Sequence, residues 1–383
     1  MTTSWGRIAL LYAIGVVAAG QLGIVPPLVP ALQRDLGLSL AGAGMAVSIV
    51  TLVGALFGLL AGGWSERIGH ARALRIGILV MASAAALCAA AENAATLLAA
   101  RALAGIGYLL VVVAAPSLMA GTAEPRHHPF ALSLWGTFVP AGIALAGAVT
   151  ATVAGRLDWR TIFAVDVVLL ALALALIVAI AAVPQVGAPT QARRGAAIGP
   201  LRAAVPLSVA FFCFALLFLA LAGLLPAYLI ERRGLAAEHA GRVVAIATAF
   251  AIAGSLWAGW MMRRGTPPGR LAAIGLIAST AVAALSFSAT APVPLVVAGF
   301  AVSFALGGLV TAAAFASVPL IARDARAIGP INGLLAQAGS LGSLAGPPVL
   351  ALWIGWAGWG LAPVLLLAVA AIGAACALAI ARA

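Results

Sequence analysis

The chain is 383 residues long, 64% hydrophobic and only 8% charged, with a formal net charge of +12. Soluble globular domains carry about 25% charged residues, so this composition excludes that class and makes the bilayer the solvent. In a soluble protein such a charge would point to nucleic acid, but here all 21 basic residues are arginines and all except Arg101 fall at or near the ends of apolar runs, so no nucleic-acid partner is expected.

A helical span needs roughly 20 apolar residues. Cut at its charged or Pro/Gly-rich breaks, the chain yields twelve: 8–32, 41–64, 72–92, 95–121, 130–154, 161–183, 204–230, 240–262, 271–290, 294–321, 329–354 and 359–381. These runs are apolar on all sides, whereas barrel strands would alternate, so an all-α membrane protein follows. The first run is too long for a signal-peptide core and is read as the first span. With the N-terminus inside, Arg7, Arg67, Arg72, Arg75, Arg126, Arg193, Arg194, Arg202, Arg263, Arg264, Arg270, Arg323, Arg326 and Arg382 fall on the inner side. Arg34, Arg156, Arg160, Arg232, Arg233 and Arg242 fall on the outer side. This bias predicts a multi-pass protein of the inner (cytoplasmic) membrane with both termini cytoplasmic.

Within span 1, Gln21 is a polar residue near mid-membrane. Span 2 carries Gly54, Gly58 and Gly62, a small-residue seam along which a neighbouring backbone can approach. Span 2 ends in the hairpin Gly62-Gly63-Trp64-Ser65-Glu66-Arg67-Ile68-Gly69-His70-Ala71-Arg72. Span 4 holds Arg101, then Gly105 and Gly107, with Tyr108 seven residues after Arg101 on the same helix face. Trp135, Phe138 and Gly142 are expected on one face of span 5, with a bend at Pro140. Span 6 opens with Trp159-Arg160-Thr161-Ile162-Phe163 and carries Asp166 at a depth similar to Arg101. Ionisable groups in the membrane are functional candidates, so Arg101 and Asp166 are candidates for substrate recognition, for proton coupling, or for a structural ion pair.

The polar, basic stretch around 185–203 divides the spans six and six, predicting an N-terminal bundle at 1–184, a cytoplasmic linker at 185–203 and a C-terminal bundle at 204–383. A weak repeat at an offset of 196–202 residues relates the halves: Pro30-Ala31-Leu32 matches Pro226-Ala227-Tyr228, and Ala61-Gly62 matches Ala258-Gly259. Aligning Gly107 with Gly308 places the counterpart of Arg101 near the apolar Val302. In the second half, Phe211 and Phe218 of span 7 and Phe304 and Phe315 of span 10 can complete an apolar cavity. Gly339, Gly342 and Gly346 line span 11, which also offers Asn332, Gln337 and Ser340.

On the hairpin, the span 4 pattern and the six-plus-six layout, the chain resembles the major facilitator superfamily. Gly62, Ser65, Glu66, Arg67, Gly69 and Arg72 match that family's signature between spans 2 and 3, with Glu66 for the usual Asp and with His70 and Ala71 departing from it. Arg101, Gly105 and Gly107 match a second signature. The resemblance implies two pseudo-symmetric six-helix bundles, alternating access, and a gating role for Gly62, Glu66, Arg67, Gly69 and Arg72. The physics agrees for Glu66, whose carboxylate would face the positive N-terminal end of span 11 near Gly329. Spans 4 and 5 are weakly similar to the cyanate and nitroimidazole transporter group.

Enzymatic chemistry is not expected. All four histidines, His70, His127, His128 and His239, lie in breaks between spans, and Cys88, Cys213 and Cys376 fall in separate apolar runs, so no disulfide, metal or cofactor site is indicated. The expected partners are the lipid bilayer and a small-molecule substrate, with proton coupling left open and a monomeric state. The residues put forward for substrate binding are Gln21, Arg101, Tyr108, Trp135, Phe138, Asn332 and Gln337; those for coupling are Arg101 and Asp166. Three functions compete: import of a small organic anion or polar metabolite, proton-driven multidrug efflux, and a non-transporting membrane sensor. Drug-antiporter branches of the family it resembles usually carry acids in the first or fourth span and a Gly-Pro signature in span 5; span 1 here has no acid and span 5 no Gly-Pro-x-x-Gly-Gly, so the resemblance favours import.

Overall fold

The computed structural model describes residues 3–38, 40–154, 156–179, 198–235, 237–287, 291–322 and 324–381. All regular structure among them is helical: α1 (Trp5–Leu36), α2 (Leu40–Ile68), α3 (His70–Ala89), α4 (Ala94–Thr122), α5 (His128–Trp135), α6 (Phe138–Val153), α7 (Trp159–Ala179), α8 (Ile198–Arg233), α9 (Ala237–Arg263), α10 (Pro268–Ser286), α11 (Val293–Ala322), α12 (Ala325–Ala357) and α13 (Ala362–Ala381), with short 3-10 turns at Pro125–His127 and Trp359–Leu361. Twelve stretches among the described residues are long and apolar enough to cross a membrane, as expected. Residues 185–197 of the expected linker lie outside the described residues, and 198–203 form the first turns of α8.

Local chemistry sets the breaks. Between α2 and α3 a single residue, Gly69, reverses the chain at φ 89°, a region where a side chain would be strained. Asn93 caps α4, accepting from the Thr96 N–H while Thr96 Oγ1 accepts from the Asn93 N–H. Before α7, Asp158 accepts from the Thr161 N–H at 2.6 Å. The Thr161 side chain and backbone hold that carboxyl below the usual range by stabilising its charged form.

The fifth span is not the continuous 130–154 helix expected. It divides at Gly136–Thr137 into α5 and α6. Pro140 lacks an N–H, so it removes the bond to the carbonyl of Gly136 four residues earlier, and the break falls there. Trp135 and Phe138 therefore sit on separate helices, not one shared face. Gly142, on α6, meets Val16 and Ala19 of α1.

By backbone proximity the chain forms two compact units. One contains α1–α4, α6, α7 and the start of α12 up to Gln337; the other contains α5, α8–α11, the remainder of α12 and α13. In both, backbones meet at glycines, as small residues permit in lipid. A Cβ on Gly77 of α3 would lie 2.8 Å from the Gly107 carbonyl oxygen and 3.0 Å from Leu110 Cβ. One on Gly275 of α10 would lie 3.1 Å from both the Leu306 oxygen and Leu309 Cβ. The same contact thus recurs about 200 residues later, and it registers Gly107 with Leu306, not with Gly308. Gly308 packs instead on Ala251 and Ser255 of α9. In this register the counterpart of Arg101 is Phe300, fully buried, whereas Val302 is 49% exposed.

Replacing Gly107 by Val is expected to drive its side chain into Met81, destabilising the fold by about 1–3 kcal/mol. Gly6→Ala, with nothing within 4 Å of the added carbon, should be silent. Thermal unfolding of the purified protein followed by tryptophan fluorescence compares the two.

Candidate functional site

The sequence pointed to Gln21, Arg101 and Asp166 separately, and the first unit brings them together. Their exposures are 1%, 0% and 4%. Arg101 of α4 donates through Nε to the Ala46 carbonyl of α2 at 3.0 Å. Its NH2 donates to the Gln21 carbonyl of α1 at 2.6 Å, and its NH1 to Gln21 Oε1 at 3.1 Å. Gln21 Nε2 then donates to Asp166 Oδ2 of α7 at 2.5 Å. The cation and the anion are therefore linked through a glutamine amide, which accepts from one and donates to the other. Burying two charges is costly unless geometry and further hydrogen bonds compensate, and here three helices supply them. The bridging role of Gln21 was not foreseen, although its position as a polar residue in the middle of a span was a signal.

The expected Trp-Arg-x-x-Phe sequence closes the same end of this unit. Trp159 Nε1 donates to Asp35 Oδ2 at 2.9 Å, Arg160 lies over the Trp159 ring and donates to the Ala91 carbonyl at 3.0 Å, and Phe163 meets Trp159 edge-on. The second unit has no guanidinium at the position of Arg101. Phe300 packs there against Phe287 and Tyr228, at centroid distances of 5.3 and 6.2 Å.

At the opposite end of the first unit, α2 and the start of α12 cross at glycines. A Cβ on Gly62 would lie 2.6 Å from the Gly329 carbonyl oxygen, and one on Gly333 would fall 2.7 Å from Gly62 Cα. This approach brings Glu66 to the first turns of α12, as anticipated: a Cβ on Gly329 would meet Glu66 Oε2 at 2.8 Å and His70 Cε1 at 3.0 Å. His70, read from sequence only as a departure, is part of this corner. Its Nε2 lies 3.1 Å from Glu66 Oε2 and its Nδ1 lies 2.9 Å from Ser65 Oγ. Arg67 and Arg72 are exposed on the hairpin.

One turn further along α12, Asn332 donates to Ser117 Oγ of α4 at 3.0 Å, while its buried Oδ1 has no hydrogen-bond partner among the described residues. Gln337 reaches into α2: Nε2 donates to the Ala55 carbonyl at 2.9 Å and Oε1 accepts from the Leu59 N–H at 3.2 Å. Tyr108 is buried on α4, and Phe138 is buried on α6.

In the second unit, four of the expected phenylalanines form a run with Phe214. Along α8, Phe211, Phe214 and Phe218 follow one another at 5.9 and 5.5 Å. From α11, Phe304 meets Phe218 at 5.1 Å and Phe315 meets Phe211 at 5.8 Å. Gly307 and Gly339 face these rings. Trp135 is fully buried on α5.

A profile of the Major Facilitator Superfamily matches residues 11–335. The chain belongs to that superfamily, whose members are membrane transporters. The Methylenomycin A resistance protein of Bacillus subtilis is 28% identical over 43% of this chain and 36% of its own length. The Puromycin resistance protein pur8 of Streptomyces alboniger is 31% identical over 41% of this chain and 31% of its own. The chain thus matches about a third of these relatives' lengths. The fold is similar to that of the human organic anion transporter MFSD10, with a TM-score of 0.79 at 16% identity over 97% of this chain and 98% of that one.

Arg101→Ala removes the cation that balances buried Asp166 and Gln21→Leu removes the amide that bonds Asp166, and each is expected to lower stability by about 3–5 kcal/mol. Arg101→Lys should not rescue, because an ammonium cannot reproduce the planar fork that engages two helices. Thermal unfolding in detergent reads both effects; unchanged midpoints would show that the trio does not hold the helices.

Proposed function

We propose that this transporter moves a small, amphipathic organic solute of low net charge by alternating access, and that it works in the export direction. The observation that carries this reading is the state of Arg101. Three of its donors are committed to α1 and α2 in the protein core, so it is poorly placed to attract a substrate anion. We read Arg101 and Asp166 accordingly as the lock of the N-terminal helices and not as coupling groups. Solute recognition then falls to the phenylalanine run of α8 and α11. Aromatic surface suits a flat, weakly polar ligand. Export is supported by the resistance proteins among the relatives; because metabolite transporters also occur among them, import of a small organic anion or polar metabolite is kept as the second reading. The arginine distribution supports an inner-membrane location with cytoplasmic termini.

We further propose that the contact of Glu66 with the start of α12 holds the inner side closed. The carboxylate meets α12 at Gly329, just past the first turn, where the helix dipole contributes no more than about 0.3 kcal/mol, so the contact biases an equilibrium without freezing it. Glu66→Gln should raise labelling, from the cytoplasmic side, of a cysteine placed at Ala61, which is buried on α2 beside that contact. Labelling equal to that of the parent variant would count against the clasp.

The substrate class is tested by thermal shift with rhodamine 6G, benzoate and inositol as probes. A solute at 100 times its Kd stabilises by about 2.7 kcal/mol. Rhodamine should raise the midpoint in the native protein and fail to do so in Phe211→Ala/Phe218→Ala. Stabilisation by benzoate alone would return the reading to an organic anion.

A further inference from the structure

The second unit carries a feature that solute transport does not use. Between α10 and α13 runs an open groove of about 480 Å³, lined by Ala273, Ile274, Ile277, Ala278, Ala374 and Leu378, with Arg270 at one end. From Arg270 to Ala278 it extends about 12 Å along the helix axis. Its walls are almost wholly apolar and its mouth is cationic.

Arg270 is exposed, and its guanidinium has no hydrogen bond, ion pair or ring contact among the described residues. Its neighbours in sequence are occupied: Arg263 lies over the Phe130 ring and Arg264 over Trp260, at 5.2 and 3.8 Å. The stretch from Arg263 to Arg270 contains no acidic residue, and Arg270 lies in the first turn of α10, where the helix dipole already adds positive potential. Among the described residues no carboxylate compensates that cation. The complementary group at the edge of a bilayer is a phosphodiester, and an apolar channel leading inward from it matches an acyl chain. In lipid such a groove gains nothing by hiding apolar surface from water. Selection must come from close packing of one chain and from charge at its head.

We propose that the α10–α13 groove is a binding site for an anionic phospholipid, its phosphate on Arg270 and one acyl chain along Ile277 and Ala278. This lipid sits in the leaflet bordering the α9–α10 turn, and the assignment is independent of the transported solute.

Native mass spectrometry of the delipidated full-length protein, titrated with phosphatidylglycerol or with phosphatidylcholine of the same chains, tests it. The first phosphatidylglycerol adduct should form at about fivefold lower concentration than the phosphatidylcholine adduct, as expected for one basic contact at a membrane surface. Arg270→Gln should abolish that preference, and Arg264→Gln should retain it. Ala278→Trp, which fills the groove, should suppress the first adduct of both lipids. An undiminished preference in Arg270→Gln overturns the proposal, as does equal loss in the Arg264 and Arg270 variants, which would mean diffuse surface charge alone. Adducts of both lipids persisting unchanged in Ala278→Trp likewise overturn it. Arg270 is exposed, so its variant should fold, and the unfolding midpoint of each variant checks this.

Discussion

Hydrocarbon offers no hydrogen-bond partners, so every polar group within the membrane must find its match inside the protein. Nowhere is this demand heavier than at Arg101. A guanidinium at zero exposure is tolerable only because α1 and α2 each yield a backbone carbonyl and the Gln21 amide accepts a third bond while donating to Asp166. Four helices, α1, α2, α4 and α7, are thereby tied to one point. The second unit solves the corresponding position with packing, setting Phe300 against Phe287 and Tyr228. Two halves built on one plan thus differ in the chemistry of their centres, one held by directional bonds and the other by aromatic contacts.

Glycine supplies the rest of the cohesion. Where Gly77 meets Gly107, or Gly62 meets Gly329 and Gly333, helix backbones touch with no side chain between them. Dispersion at such distances replaces the hydrophobic drive that is absent in lipid. The same closeness places Glu66 and His70 against the start of α12. A longer side chain at Gly329 would hold that helix away from the carboxylate.

Much of this was legible in the sequence because length and hydropathy dictate helices in a bilayer. The twelve spans, the hairpin at Gly69 and the approach of Glu66 to Gly329 were all readable. The split of the fifth span was half-legible: Pro140 announced a disturbance, but the break appears at the residue whose carbonyl loses its partner, four positions earlier. The repeat register was misread by two residues because glycines are frequent, and Gly308 answers to a different neighbour from Gly107. Side-chain reach was the least legible. No spacing rule reveals that Gln21 joins Arg101 to Asp166, since their separations in the chain are 80 and 145 residues. His70 was overlooked because it was judged by what it replaced and not by what stood beside it.

The hold of Gln337 on α2 carries a thermodynamic consequence. Its amide engages the Ala55 carbonyl and the Leu59 N–H, two groups that are natural partners in an α-helix. If the glutamine withdraws, they can bond to each other, so α2 keeps its backbone satisfied and only the glutamine's own amide loses its partners. The cost of release therefore falls on one side chain, and the α2 helix comes away intact.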